Sequence, residues 1–263
     1  MRQRHAAARC LLVLALCAWL PAHATWSIAA VNPRTGTIGV AAASCSGGVY
    51  GIQAVVPGKG AVIVQAESSG QARRAAVAML REGASPDAIL ARISDPASGF
   101  APGRQQYAVL ASGPDARPRT YTGAEVPGFK GAAGGEHVSV QANTMASADV
   151  VPRTAAALGE ADWPDDLAMA RALMRALQAG ADAGGDRRCG KAASNTAFVS
   201  LHRRTDADDA PWMELAVNRI PVGAASGTAA LRALFDDWLR RGTRRASTRT
   251  FVVPATGATP PAH

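Results

Sequence analysis

The chain has 263 residues, 48% of them hydrophobic, with 28 Lys and Arg against 20 Asp and Glu and a formal charge of +8. That length suits one domain with a substantial core. Its most apolar run, Cys10 to Leu20, falls well short of the roughly 20 residues a helix needs to span a bilayer, which excludes an integral membrane protein of that kind.

The first 24 residues read as a secretory signal. Arg2, Arg4 and Arg9 form a basic start, the apolar run follows, and Pro21 precedes the small-x-small triplet Ala22-His23-Ala24, after which cleavage is expected. Export places the mature chain in the periplasm or outside the cell, with no stable membrane insertion after cleavage. Loss of three arginines lowers the charge from +8 to +5. No nucleic acid is expected as a partner in that compartment. The Arg-rich stretch from 239 to 249 reads as a solvated helix end and tail, with an anionic envelope polymer as the functional alternative.

From Thr25 to Ala66 the pattern is two hairpins. "TWSIAAV" turns at Pro33 and Gly36 and returns as "TIGVAAAS"; "VYGIQAVV" turns at "PGKG" and returns as "AVIVQA". Valine, isoleucine and alanine occupy both parities, so these strands are expected to be covered on both faces. A helix follows with Ser68 or Ser69 as cap and Gly83 as stop, then a second with Ser85 as N-cap and Pro86 at its first position. Strands are expected near 105–111 and 119–124, then a Gly-rich loop, "GFKGAAGGE", and a strand through "HVSVQAN". The longest helix is expected to start near Asp162 and Pro164 and to end at Gly180. Strands at "NTAFVSLH" and "PWMELAV" and a helix around "TAALRALFDDWLRRG" complete a domain over 25–246, and 247–263 reads as a disordered tail. Strand and helix do not alternate strictly, so the order favours an α+β fold with two sheets between helix layers over a doubly wound parallel sheet.

Cys10 and Cys17 leave with the signal, so Cys45 and Cys189 remain. In an oxidising compartment the pair reads as a disulfide, or else as two free buried thiols. The surviving histidines, His137, His202 and His263, show no metal spacing with each other or with the cysteines, and neither metal nor cofactor is expected.

Cleavage after Ala24 would make Thr25 the N-terminus. An N-terminal threonine carries a nucleophile and a base in one residue: its hydroxyl attacks a carbonyl while its own α-amine, with an ordinary pKa of about 7.7–8.0, takes the proton. The peptide bond to Ala24 abolishes that base, so export would switch the chemistry on. No polar spacer separates the cleavage site from "WSIAAV", so the new terminus is expected to be held in a sheet.

The segments "TWSIAAVNPRTGTIGVAAAS", "VVPGKGAVIVQA", "AMLREGASPDAILARISDP", "YTGAEVPGFKG", "VSVQANTM" and "AGGDRR", in this order, resemble a bacterial family catalogued as domain of unknown function 1028. Its members resemble N-terminal-nucleophile (Ntn) hydrolases, which implies a four-layer αββα sandwich of two mainly antiparallel sheets between helix layers. The resemblance implies Thr25 as nucleophile and Asn143, in "VQAN", as an oxyanion donor, unless Asn143 simply ends a strand. Asp186 and Arg187, in "GGDRR", would clamp a substrate carboxylate, orient the threonine, or form a structural ion pair. Two segments depart from the family pattern. "FKGA" lacks a histidine and has Lys130 nearby, and "ESSG" brings Glu67 to a loop expected to line the pocket. The reading is an exported amidohydrolase acting on a small-molecule or peptide amide. A periplasmic binding or structural module on the same fold is the second reading, and a redox-sensitive protein built on Cys45 and Cys189 the third. A homo-oligomer is left open.

Overall fold

The computed structural model describes residues 24–113, 117–221 and 225–251. The expected signal, apart from Ala24, lies outside the described residues, as does the chain from 252 onward.

Both expected N-terminal hairpins form: β1 (Thr25–Val31) with β2 (Ile38–Ser44), and β3 (Gln53–Val56) with β4 (Gly60–Ala66). Ser69 Oγ accepts from the Ala72 amide and starts α1 (Gly70–Arg81); Ser85 does the same for the Ala88 amide, and Pro86 opens α2 (Pro86–Ser94). Next come β5 (Gln105–Ala111), β6 (Arg119–Thr122), β7 (Phe129–Gly134) and β8 (Val138–Met145). After them lie α3 (Val150–Leu158) and α4 (Asp166–Asp182), then β9 (Thr196–His202), β10 (Met213–Asn218), α5 (Gly227–Arg240) and β11 (Ala246–Phe251).

Three of these depart from the sequence reading. The Gly-rich loop is largely strand β7, because its backbone pairs with β8 and an edge strand needs no apolar side chains to do so. Helix α3 was not expected, for it carries Pro152 and its N-cap Asp149 makes no side-chain capping bond. Pro152 is its third residue, where a missing N–H removes no intrahelical bond. Residues 247–251, expected as tail, belong instead to β11, which pairs in parallel with β10.

The protein is α+β, with two mostly antiparallel sheets. Seven strands in the order β11-β10-β9-β2-β1-β8-β7 form the larger sheet, and β3-β4-β5-β6 the smaller. Apolar residues gather in three places. Trp26, Ile28, Val140 and Val199 of the large sheet pack on Leu173 and Leu177 of α4 and Phe235 of α5. Ala29, Val40, Ala42 and Phe198, on the opposite face of that sheet, meet Val55, Ile63, Ala108 and Leu110 of the small one. Val62, Val64 and Val109 on the small sheet's far face pack on Leu80, Ile89 and Ile93 of α1 and α2. Each such isoleucine or leucine, fully buried, contributes about 1.5–3 kcal/mol. Strands with apolar residues on both parities are what this doubly covered arrangement demands.

Trp26 anchors the start of β1 from behind. Its indole is fully buried and donates to the Leu177 carbonyl of α4 at 3.2 Å. Gly180 lets α4 come that close: a Cβ there would stand 2.5 Å from Trp26 Nε1 and 2.7 Å from Thr154 Oγ1. With Trp26 held toward the helices, alternation turns Thr25 and Ser27 toward the small sheet.

Candidate functional site around Thr25

Thr25 is the first residue of β1, in the interior of the large sheet, and is 3% exposed. In register it lies between Ser44 on β2 and Asn143 on β8, and Ser44 pairs in turn with Thr196 on β9. This polar row ends the layer between the sheets whose middle is apolar. The next row brings Ser27 and Gln141 together, and the small sheet answers with Gln65 and Gln106.

These side chains bond to one another. Ser27 Oγ donates to Gln65 Oε1 at 2.6 Å and accepts from Gln141 Nε2 at 2.6 Å. Gln65 Nε2 donates to Gln106 Oε1 at 2.7 Å and to the Thr25 carbonyl at 3.3 Å. Asn143 Nδ2 donates to Gln106 Oε1 at 3.3 Å and reaches the Thr25 carbonyl at 3.5 Å. Its Oδ1 is buried without a partner. Buried amides linked this way stiffen a site, because each partner is costly to lose in a low-dielectric interior.

The residue before Thr25 is held just as closely. The Ala24 carbonyl accepts from Ser44 Oγ at 2.6 Å and from Arg188 Nη2 at 3.1 Å. Arg188 is fixed by Asp186, which is fully buried: Nε donates to Asp186 Oδ1 at 3.0 Å and Nη2 to Oδ2 at 2.6 Å. The same carboxylate accepts from the Arg188 amide at 2.9 Å and the Cys45 amide at 2.6 Å. Cys45 and Cys189 form a disulfide with Cα atoms 5.6 Å apart, so each donor to Ala24 immediately precedes a bonded cysteine. Among the described residues, three of the six non-glycine positions with positive φ border this end: Ala66 after Gln65, Thr144 after Asn143, and Ala193, whose carbonyl accepts from the Asp186 amide. Positive φ at a β-branched residue such as Thr144 is a true outlier, and backbone strain of this sort gathers at functional sites.

Of the residues singled out in the sequence, Thr25, Asn143, Asp186, Cys45 and Cys189 come together here. Arg187 is exposed, and the ion pair of Asp186 is with the next arginine, Arg188. Glu67 lies two residues beyond Gln65 and pairs with Arg104 at 2.6 Å, both side chains about 40% exposed. Lys130 caps a turn instead, donating to the Gly123 and Ala124 carbonyls at 3.2 and 2.9 Å. Ser44, Arg188, Gln65 and Gln106 were missed. The available signal was polar residues in otherwise apolar strand runs, together with the cysteines adjoining Ser44 and Arg188.

The molecule has larger openings elsewhere. A cleft of about 610 Å³ lies at the other end of β8, lined by Glu136, His137, Val138, Leu158 and Glu160 among others. It offers no nucleophile with an adjoining base, so chemistry favours the Thr25 end despite its closed state. A second buried polar patch lies on β9 and β10, where Ser200 pairs with Glu214 in register. Ser200 Oγ and both ring nitrogens of His202 have no hydrogen-bond partner. Burial pushes the His202 imidazole down to about 4, against the raising pull of Asp206, Glu214 and Asp208. Among the described residues no three His, Cys, Asp or Glu side chains group to hold a metal ion, and no helix is long and apolar enough to cross a membrane.

No curated protein matches the chain. Among solved structures, the crystal structure of protein SPO2555 from Silicibacter pomeroyi, itself assigned to DUF1028, aligns with a TM-score of 0.64 at 24% identity. The alignment covers 82% of this chain and 86% of that one, and shows that the two share a fold. The model of DUF1028, described as a family of unknown function, matches residues 25–224, so the match opens on Thr25 and includes Ser44, Gln65, Gln106, Asn143, Asp186 and Arg188. The chain therefore belongs to the DUF1028 family.

Proposed function

We propose that the protein is an exported amidohydrolase of the Ntn type, built as an αββα sandwich, whose nucleophile is Thr25 once residues 1–24 have been removed. Thr25 Oγ1 attacks the carbonyl carbon of a small-molecule or peptide amide while the freed α-amine takes the hydroxyl proton and passes it to the departing amine. Water then releases the acyl group from Oγ1 by the same proton path. The observation that carries this reading is the placement of Thr25 at the start of an interior strand. Trp26 pins it from behind, and its side chain faces a network of buried amides.

Asn143 has its Nδ2 directed at the Thr25 carbonyl and Gln106, which suits holding the nucleophilic strand. Asp186 acts through Arg188 and the Cys45 amide. Glu67 and Arg187, partly or fully exposed, are left to meet the distal part of a substrate. The disulfide fits an oxidising compartment, the periplasm or the exterior, in line with removal of a signal.

A non-catalytic binding module is the second reading, favoured by the near-complete burial of Thr25. Intact-mass analysis of exported protein is expected to show a chain beginning at Thr25, and any other terminus removes the amine base. On that chain a β-lactone, which acylates activated hydroxyls, is expected to label Thr25 and to spare Thr25→Ala. Equal labelling of the two, or none of either, favours the binding module.

A further inference from the structure

The Ala24 acyl group occupies a built site. Its carbonyl oxygen holds two donors, Ser44 Oγ at 2.6 Å and Arg188 Nη2 at 3.1 Å, and its methyl group is fully buried in the apolar core that contains Trp26. This carbonyl is bonded directly to the Thr25 nitrogen, so both donors point at a position adjoining the nucleophile. When the chain is cut after Ala24, the acyl group leaves and the donors lose their acceptor. A carboxylate is a poor replacement, because the charge of Arg188 is already matched by the buried Asp186 carboxylate. A neutral carbonyl fits, and the negative charge that develops on it as it is attacked is balanced by the proton that the adjoining α-amine takes up in the same step.

We propose that Ser44 and Arg188 are the oxyanion donors of the reaction, that the Cys45–Cys189 disulfide is the device that aims them, and that the side chain on the substrate's acyl group is no larger than the methyl of alanine. This rests on Thr25 being the nucleophile. In the acylation step the bond from Thr25 Oγ1 to the carbonyl carbon forms. The carbonyl π pair moves onto oxygen against the Ser44 hydroxyl and the Arg188 guanidinium, and the hydroxyl proton passes to the α-amine. Collapse of the intermediate returns that pair, breaks the bond to the leaving nitrogen, and delivers the proton to it. Ser44 sits on β2 and Arg188 on a turn more than 140 residues later, with the disulfide joining the residue after each. Asp186 and the disulfide are positioning groups: Asp186 holds the guanidinium in two-point contact, and the covalent bridge keeps that turn against the end of β2. The small side-chain limit follows from the burial of the Ala24 methyl, which packs in the core with Trp26.

The test uses export-matured protein beginning at Thr25 and two β-lactones, bearing either a methyl or a hexyl group beside the carbonyl. Labelling at Thr25 is followed by mass. The wild type is expected to take the methyl compound at least tenfold faster than the hexyl one. Arg188→Gln and Ser44→Ala are each expected to slow labelling by tenfold or more, and in Ser44→Ala, which changes no charge, the shape of the pH profile is expected to be that of the wild type. The double variant Cys45→Ala, Cys189→Ala is expected to lose rate in the same way while its circular dichroism stays native. Rates within threefold of wild type in both donor variants overturn the proposal. If the wild type takes no label at Thr25, the nucleophile reading fails by itself. The subsite is then judged by titrating N-acetyl-alanine amide into matured Thr25→Ala protein, where loss of binding on Arg188→Gln supports the site and unchanged or absent binding overturns it.

Discussion

Two polar patches are buried on the same face of the large sheet, and they are built differently. At the Thr25 end, Ser27, Gln65, Gln106 and Gln141 come from four strands of two sheets, and their amides and hydroxyls exchange hydrogen bonds. On β9, Ser200 Oγ and both His202 nitrogens stand without partners. A linked set of buried donors and acceptors orients its members, whereas an unlinked one mainly costs the desolvation of its atoms. The first patch is therefore suited to hold the proposed nucleophile in place, and the second is a local weakness that acid should expose.

The largest effect should come from the covalent tie at the first patch. The disulfide closes a sequence separation of 144, for which the chain-entropy relation gives about 5 kcal/mol, so the Cys45→Ala, Cys189→Ala protein is expected to lose up to that much in urea denaturation. Gln65→Leu comes next. It strands the Ser27 hydroxyl proton and takes from Gln106 Oε1 the shorter of its two donors, leaving Asn143 Nδ2, and at about 1–3 kcal/mol for an unsatisfied buried group it is expected to cost about 3 kcal/mol. A loss below about 1 kcal/mol would mean that water replaces the amide and that the patch is no rigid network.

The second patch should respond to pH. His202 titrates near 4 in the folded chain and near 6.5 when unfolded. Between those values the unfolded chain binds a proton that the folded one does not, so stability is retained above pH 6.5 and falls as pH drops toward 4. The loss is on the order of 3 kcal/mol. His202→Leu is expected to remove that part of the acid slope, as read from denaturation midpoints at pH 7 and 4.5. The smallest effect is that of Ser200→Ala, which removes an unpartnered hydroxyl and is expected to leave stability within about 1 kcal/mol of wild type or to raise it. A larger loss would show that Ser200 is bonded after all and would erase the contrast between the patches.

Much of the fold was legible because it is local. Ser69, Ser85 and Pro86 announce the starts of α1 and α2 by chemistry confined to one turn, and apolar residues on both parities of β1, β2 and β4 announce sheets covered on two faces. β7 was not legible, because "FKGAAG" has no strand-forming side chain after Phe129 and becomes a strand only by pairing with β8. α3 hid behind Pro152 and a cap without a side-chain bond.

The site divides in the same way. Thr25 follows from the expected cleavage triplet and the strand that begins at once after it, so the candidate nucleophile and its proposed switch by export are read from a few consecutive residues. The partners of that nucleophile are not. Ser44 and Arg188 converge on one carbonyl only because β2 ends beside β1 and the disulfide draws in a distant turn, and Gln65 and Gln106 face Ser27 only because a second sheet lies on the first. Caps, turns and alternation are short-range, and a sequence states them outright. Which buried donors share an acceptor depends on how the sheets pack, and tertiary structure alone decides that.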